Sequence, residues 1–414
     1  MKSHSAFAAA VVLLFSGVLF GEEAPVADKA AVAKLAQSSN AFGFDLYQRL
    51  RGNPGNLVVS PASITTALTM PWGGARGETA EQMKTVLHLE GTPDEVMTTA
   101  SRLSRSLRDP SRPIVFRIAN QLFVEKTYKL VPAYVEKTRA AFGTPVERLD
   151  FKQAPEPARA HINRWVEDQT ERRIKDLIPP REVKPDTRLV LVNAIYFLGD
   201  WKIPFEQGET RPATFHLTAS TTNKVPTMHR EGGFLVAQKD GVTAVAIPYK
   251  GGELSMLLLV PDEIEGLAAV EAALDTKKLD ALVSELKGEY VALALPKFEV
   301  NPGDSLSLGE DLKEMGMSLA FDRDKADFTG IANPPNPEDR LALAKVFHKA
   351  FVRVDEEGTE AAAATVVGGV MGGAAAGGGG PRHIHVDRPF LFLIRDNASG
   401  LVLFLGRVSD PSQR

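Results

Sequence analysis

The chain contains no cysteine. Disulfides, thiol nucleophiles and cysteine-ligated metals are therefore excluded, and stability has to come from packing. Long hydrophobic runs are also scarce. The one extended apolar stretch, Ala6 to Phe20, is too short for a comfortable membrane span. Charge of one sign is not in excess: the formal net charge is -4, which offers no footing for nucleic acid or a polyanionic partner. Catalytic signatures are missing as well. There is no Gly-x-Ser-x-Gly elbow, no glycine-rich phosphate loop and no His-Glu-x-x-His. None of the eight histidines sits in a triad context. His383 and His385 would share a strand face, but with no third ligand in view they read as part of a polar strand. No enzyme activity, metal or cofactor is expected.

What is present is a large apolar complement. The 414 residues are 44% hydrophobic and 24% charged, ample for a sizeable core. Lys2, the apolar run and Gly21-Glu22-Glu23 have the layout of a secretory signal, expected over residues 1–21. Gly17, Gly21 and Ala27 all offer cleavage points, and an uncleaved anchor is the alternative. No cysteine follows the run, so a bacterial-type lipid anchor is not available. The expectation is a secreted protein, extracellular or periplasmic, free of the membrane after processing.

Helical spacing marks Ala30 to Arg51, Pro61 to about Met70, Gly77 to Leu87, Asp94 to Asp109, Pro132 to Phe142, Ala158 to Leu177 and Leu306 to Met317. Ser60-Pro61 is a helix start, with serine capping and proline at the first helical position. Pro179-Pro180 is expected to stop the helix before it. Arg102, Arg105 and Arg108 lie three apart, as on a solvated helix face. Ile114–Val124 and Leu189–Trp201 are apolar and rich in β-branched and aromatic residues, as buried central strands are. Asn193, alone in the middle of the second, needs a hydrogen-bond partner if buried.

The least ordinary stretch is Glu356-Glu357-Gly358-Thr359-Glu360-Ala361-Ala362-Ala363-Ala364-Thr365. A strand-like run, Ala350 to Asp355, leads into it, and a loop of Gly, Ala and Val follows to Gly380. Side chains alternate faces in an extended chain. Thr359, Ala361, Ala363, Thr365 and Val367 would share one small face, and Glu360 would lie on the other. The segment is thus a latent strand, with an Ala/Gly linker as the alternative.

The run Lys345 to Ala364 strongly resembles the hinge of the serpins, a family of suicide inhibitors of serine proteases. Asn193-Ala194-Ile195-Tyr196-Phe197-x-Gly199-x-Trp201 is similar to a family motif, as are Ala326–Ile331, His385–Ile394 and Leu401–Val408. The likeness covers residues 30 to 410 in order. It implies an α+β serpin fold in one domain over 28–414: a large central mixed β-sheet, two smaller sheets, eight or nine helices and an exposed reactive loop at about 356–384. It also implies an exported, cysteine-free member of bacterial type. By the same resemblance Ser60, Ser63, Asn193 and His348 form a polar "shutter" beneath the sheet. Trp201 marks the "breach" where loop insertion starts, and residues 356–365 form the hinge. The helix after Ala158 lies across the sheet and must yield. The arginine stripe falls where some members bind glycosaminoglycans.

The function implied is inhibition, not catalysis. A protease cleaves the loop, the loop inserts as a new central strand, and the acyl-enzyme is trapped in a covalent 1:1 complex with a monomeric inhibitor. The family's usual spacing, counted from Gly358, puts the scissile bond at Met371-Gly372 or Gly372-Gly373; counted back from Pro389 it falls about Gly378. The loop is longer than typical. Both counts land among small apolar residues, which favours an elastase-like or subtilisin-like protease. The alternative is a non-inhibitory serpin, a carrier, chaperone or storage protein whose loop is only a substrate.

Overall fold

A computed structural model describes residues 26–109, 111–143, 146–359 and 380–413. The chain opens with α1 (Val26–Leu50), β1 (Leu57–Val59), α2 (Pro61–Gly74), α3 (Gly77–Val86) and α4 (Pro93–Leu107). Next come β2 (Ile114–Glu125), α5 (Pro132–Phe142), β3 (Glu147–Leu149), α6 (Pro155–Gln169) and β4 (Leu189–Asp200). A run of strands follows: β5 (Arg211–His216), β6 (Thr222–Lys239), β7 (Val242–Pro248) and β8 (Leu254–Pro261). Then α7 (Leu267–Ala273), α8 (Thr276–Ser284), β9 (Lys287–Pro296), β10 (Phe298–Val300), β11 (Leu306–Ser307) and α9 (Gly309–Glu314). The last elements are β12 (Leu343–Val354), β13 (Gly358–Thr359), β14 (Arg382–His385), β15 (Phe390–Asp396) and β16 (Val402–Val408).

The central sheet is mixed, in the order β10-β12-β13-β4-β2-β3, with β11 beside β12. β4 runs antiparallel to β2 and parallel to β12. The second system runs β1-β16-β15-β8-β7-β6-β9-β14, with β5 on β6. The two smaller sheets expected from the sequence share the long strand β6, so their ladders join. Three apolar clusters fill the layers. One surrounds α1 and the wholly buried α2; a second lies between the central sheet and the β6–β8 and β15–β16 strands. A third lies under α6, on the sheet's opposite face. Both faces of β4 are therefore buried, which is why its sequence is nearly continuous in apolar residues.

Three expectations are corrected. The helix expected over 158–177 ends at Gln169. Thr170 caps it, donating to the Val166 carbonyl and accepting from the Ile174 N–H, and Glu171 and Arg172 take positive φ. The chain then folds back, which buries Ile174 and Leu177 without continuing the helix. The stretch from Leu306 begins as a strand on β12, and its helix is confined to Gly309–Glu314. Lastly, both ends of the expected loop 356–384 are anchored in sheet, at β13 and β14.

Candidate functional site

The site is the seam between β4 and β12. Over Leu343–Phe351 the two strands pair directly, reaching Leu189–Tyr196. Beyond Tyr196 they part, and β13 sits in the gap. Gly358 pairs with Asp200, and Thr359 with both Gly199 and Val354. The sheet is thus a slot, wedged at one end and closed along the rest.

The wedge is held by specific contacts. Thr359 is fully buried, and its hydroxyl lies 2.7 Å from that of Tyr249. The Tyr249 ring stacks on Trp201, centroids 4.6 Å apart. The Trp201 indole N–H donates to the Asp355 carbonyl, and its backbone N–H donates to Glu357. Gly358 has to be glycine: a Cβ there would sit 2.1 Å from the Gly199 carbonyl oxygen. Glu356 is buried and accepts hydrogen bonds of 2.7 Å from both Lys297 and Thr210. Burial opposes its ionisation, but these two bonds, a backbone hydrogen bond and the Lys297 charge together carry its carboxyl below the ordinary range.

Six residues further along β4 lies a polar cluster. Asn120 and His348 both stand opposite Asn193, so one row crosses three strands. The Ser60 N–H donates to His348 Nε2 at 3.2 Å. The ring proton of the neutral imidazole is then on Nδ1, which donates to Asn193 Oδ1. Burial pushes the His348 pKa down to about 3, so the ring is neutral at pH 7. Asn193 Nδ2 donates to Ser63 Oγ and to Asn120 Oδ1. Ser60 Oγ accepts from the Ser63 N–H, as a helix cap, and donates to the Leu403 carbonyl at 2.6 Å. The serine is both cap and cluster member.

The structure therefore brings Ser60, Ser63, Asn193 and His348 together, and puts Trp201 beside Glu356, Glu357, Gly358 and Thr359. Glu360, Ala361, Ala362, Ala363, Ala364 and Thr365 lie outside the described residues, as do Met371, Gly372, Gly373 and residues 1–21. Sequence reasoning missed Asn120, Tyr249, Thr210 and Lys297. Asn120 carried a weaker signal than Asn193, since it lies beside Gln121 in a strand that also holds Arg117. The other three are brought in by long-range packing and carried none. The arginine stripe is partly committed: Arg105 donates to Ser101 and Ala140, and Arg108 to Ser104. His383 and His385 stack with rings 6.2 Å apart; among the described residues no three His, Cys, Asp or Glu are grouped to hold a metal. No described helix is long and apolar enough to cross a membrane.

A sheet holding a two-residue strand in an otherwise closed seam is an architecture for strand addition. The family model described as Serpin (serine protease inhibitor) matches residues 37–411. A serpin-like protein of Thermococcus kodakarensis is 39% identical over 94% of this chain and 87% of its own length. Human leukocyte elastase inhibitor is 36% identical over 91% of this chain and 100% of its own. The solved structure of uncleaved ovalbumin superposes with a TM-score of 0.83 at 28% identity, covering 91% of this chain and all of that one. The chain belongs to the serpin family.

Proposed function

We propose that this chain is a suicide-substrate inhibitor of a serine protease, and that its loop enters the seam between β4 and β12 behind Thr359. The observation that carries the reading is the register of β13. It is antiparallel to both neighbours, so each step along the loop moves one residue back along each strand. Continued, the register sets Ala361 against Phe197, Ala363 against Ile195 and Thr365 against Asn193. Counting independently from the Val354 pair, Thr365 falls against His348. Both ladders converge on the polar cluster.

The small residues then have a reason. Ile195 and Phe197 belong to the cluster facing the second sheet system, so side chains arriving beside them have to be small. Glu360, Ala362 and Ala364 would face the α6 side, where Ala194 and Tyr196 lie. Entry separates His348 from Asn193, and the Thr365 hydroxyl arrives where that bond was. The register runs out of paired β4 at Leu189, opposite Gly369, close to the proposed cleavage at Met371-Gly372 or Gly372-Gly373. Gains of ~0.5–1.5 kcal/mol per added ladder hydrogen bond, over a net of about ten, give on the order of 10 kcal/mol before ordering entropy. The uncleaved chain is accordingly metastable, held by the closed seam.

The target is a protease with a small apolar pocket, elastase-like or subtilisin-like. The chain is mixed with neutrophil elastase and with subtilisin, and the products are separated on a denaturing gel. An SDS-resistant band at the summed mass, with a released fragment starting between Gly372 and Gly379, is expected. Clean cleavage by a protease that stays active would replace this reading with that of a loop that is only a substrate.

A further inference from the structure

The far end of the seam, opposite the wedge, is a small cavity of about 210 Å³. Its rims come from three places: residues 182–188 leading into β4, residues 342–345 opening β12, and Lys313, Phe321 and Arg323 around the end of α9. The cavity thus spans the point where β4 and β12 first pair, Leu189 with Leu343, where the ladder also shifts register. Its charge is unbalanced. Lys184, Arg188, Lys313, Arg323 and Lys345 line it against only two carboxylates, Glu182 and Asp186. Lys345 pairs with Glu182 at 2.5 Å and Arg323 with Asp186 at 2.8 Å; the four side chains reach solvent to between 31% and 57%. Such pairs are weak and easily outcompeted. Lys313 bonds Glu310, outside the cavity. Arg188 donates to the backbone carbonyls of Pro185 and Thr187 at 3.0 Å and also reaches the Tyr128 hydroxyl, but it has no carboxylate partner among the described residues. Lys184 and Arg188 are left without a carboxylate partner among the described residues, in a space below the usual size of organic-ligand pockets.

We propose that this cavity binds a small tetrahedral oxyanion, of the phosphate or sulfate class, and that the bound anion holds β4 and β12 together against loop entry. Arg and Lys side chains on different elements suit such an ion, since one doubly charged group can accept from several donors at once. An anion that contacts both rims binds the closed seam better than the open one, and so shifts the balance toward closed. The gating half rests on the inhibitory reading; the binding half does not.

Two arms test it. In the first, the thermal midpoint of the uncleaved chain is measured in sodium phosphate, sodium sulfate and sodium chloride at matched ionic strength, for wild type, Lys184→Ala and Arg188→Gln. Phosphate and sulfate should raise the wild-type midpoint above that in chloride, and the excess should shrink in both variants. Lys184 is exposed, so its variant is expected to keep the fold even where Arg188→Gln does not. Equal midpoints in all salts overturn the site, and a response to a sulfated disaccharide but not to phosphate overturns the free-anion assignment. In the second arm, the loop is nicked by protease and insertion is followed by Trp201 emission. At an anion concentration ten times its Kd, binding to the closed seam alone slows insertion about tenfold. An unchanged rate in a chain that does insert overturns the gate. A chain that never inserts in any salt refutes the inhibitory reading, while the first arm still decides the site.

Discussion

Thr359→Arg is the sharpest perturbation of the seam. Thr359 is fully buried, hydrogen-bonded to Tyr249 and paired on both sides. Replacing it removes a bond worth about 1 kcal/mol and asks the slot to take a guanidinium, whose uncompensated burial costs several kcal/mol. The fold itself should survive. Only two residues form β13, and the β4–β12 ladder below it is complete without them. The chain can expel the hinge and keep its core, so thermal unfolding of the uncleaved protein should move little. Insertion has no such escape, because Thr359 is the first residue of the entering strand. A penalty of about 3 kcal/mol in the insertion barrier slows that step by a factor on the order of 100. Hydrolysis of the acyl-enzyme then overtakes trapping. The assay is titration of protease activity against inhibitor, with products resolved on a denaturing gel. The variant should be cleaved while the protease recovers its activity. Trapping at the wild-type yield and rate would refute the reasoning about the slot.

Further outcomes follow from neighbouring groups. Glu356→Lys removes an acceptor of two hydrogen bonds and sets a second ammonium beside Lys297. It should destabilise the wedge by about 2–4 kcal/mol, seen as faster amide exchange at Gly358 and Thr359. Gly358→Val cannot be placed against the Gly199 carbonyl without displacing β13, so it should release the same amides and lower the trapping yield. His348 gives a pH signature. Its pKa is about 3 in the folded chain against about 6.5 when unfolded, so between those values only the unfolded chain binds the proton. Stability from this group is complete above pH 6.5 and is lost as pH falls toward 3, with a slope approaching about 1.4 kcal/mol per unit. Urea unfolding from pH 7 to 4.5 should show a steeper loss for wild type than for His348→Asn, whose residue does not titrate.

Much of this fold was legible because its strands state their burial in composition. β2 and β4 are largely apolar on both faces, and each carries one asparagine near its middle, although β2 also holds Arg117 and Gln121. Those two asparagines turn out to face each other. Ser60 was legible for a different reason, since capping and proline at the next position are local. Local signals failed where backbone conformation departs from side-chain spacing. Ile174 and Leu177 keep helical spacing, but the positive φ of Glu171 and Arg172 has already turned the chain. Leu306 looks like a helix residue and instead pairs with His348. The wedge contacts were beyond local reading, because Tyr249, Lys297 and Thr210 meet the hinge only through folding.

Hydrogen exchange on the chain after cleavage in its loop tests the central claim most directly. Residues 360–369 should become strongly protected, Thr365 among them, while the flanking strands stay protected and only the stretch from Met371 to the start of β14 exchanges freely. Exchange of 360–369 at the rate of an unstructured chain would mean that nothing enters the seam, and the account of this protein as an inhibitor would fail.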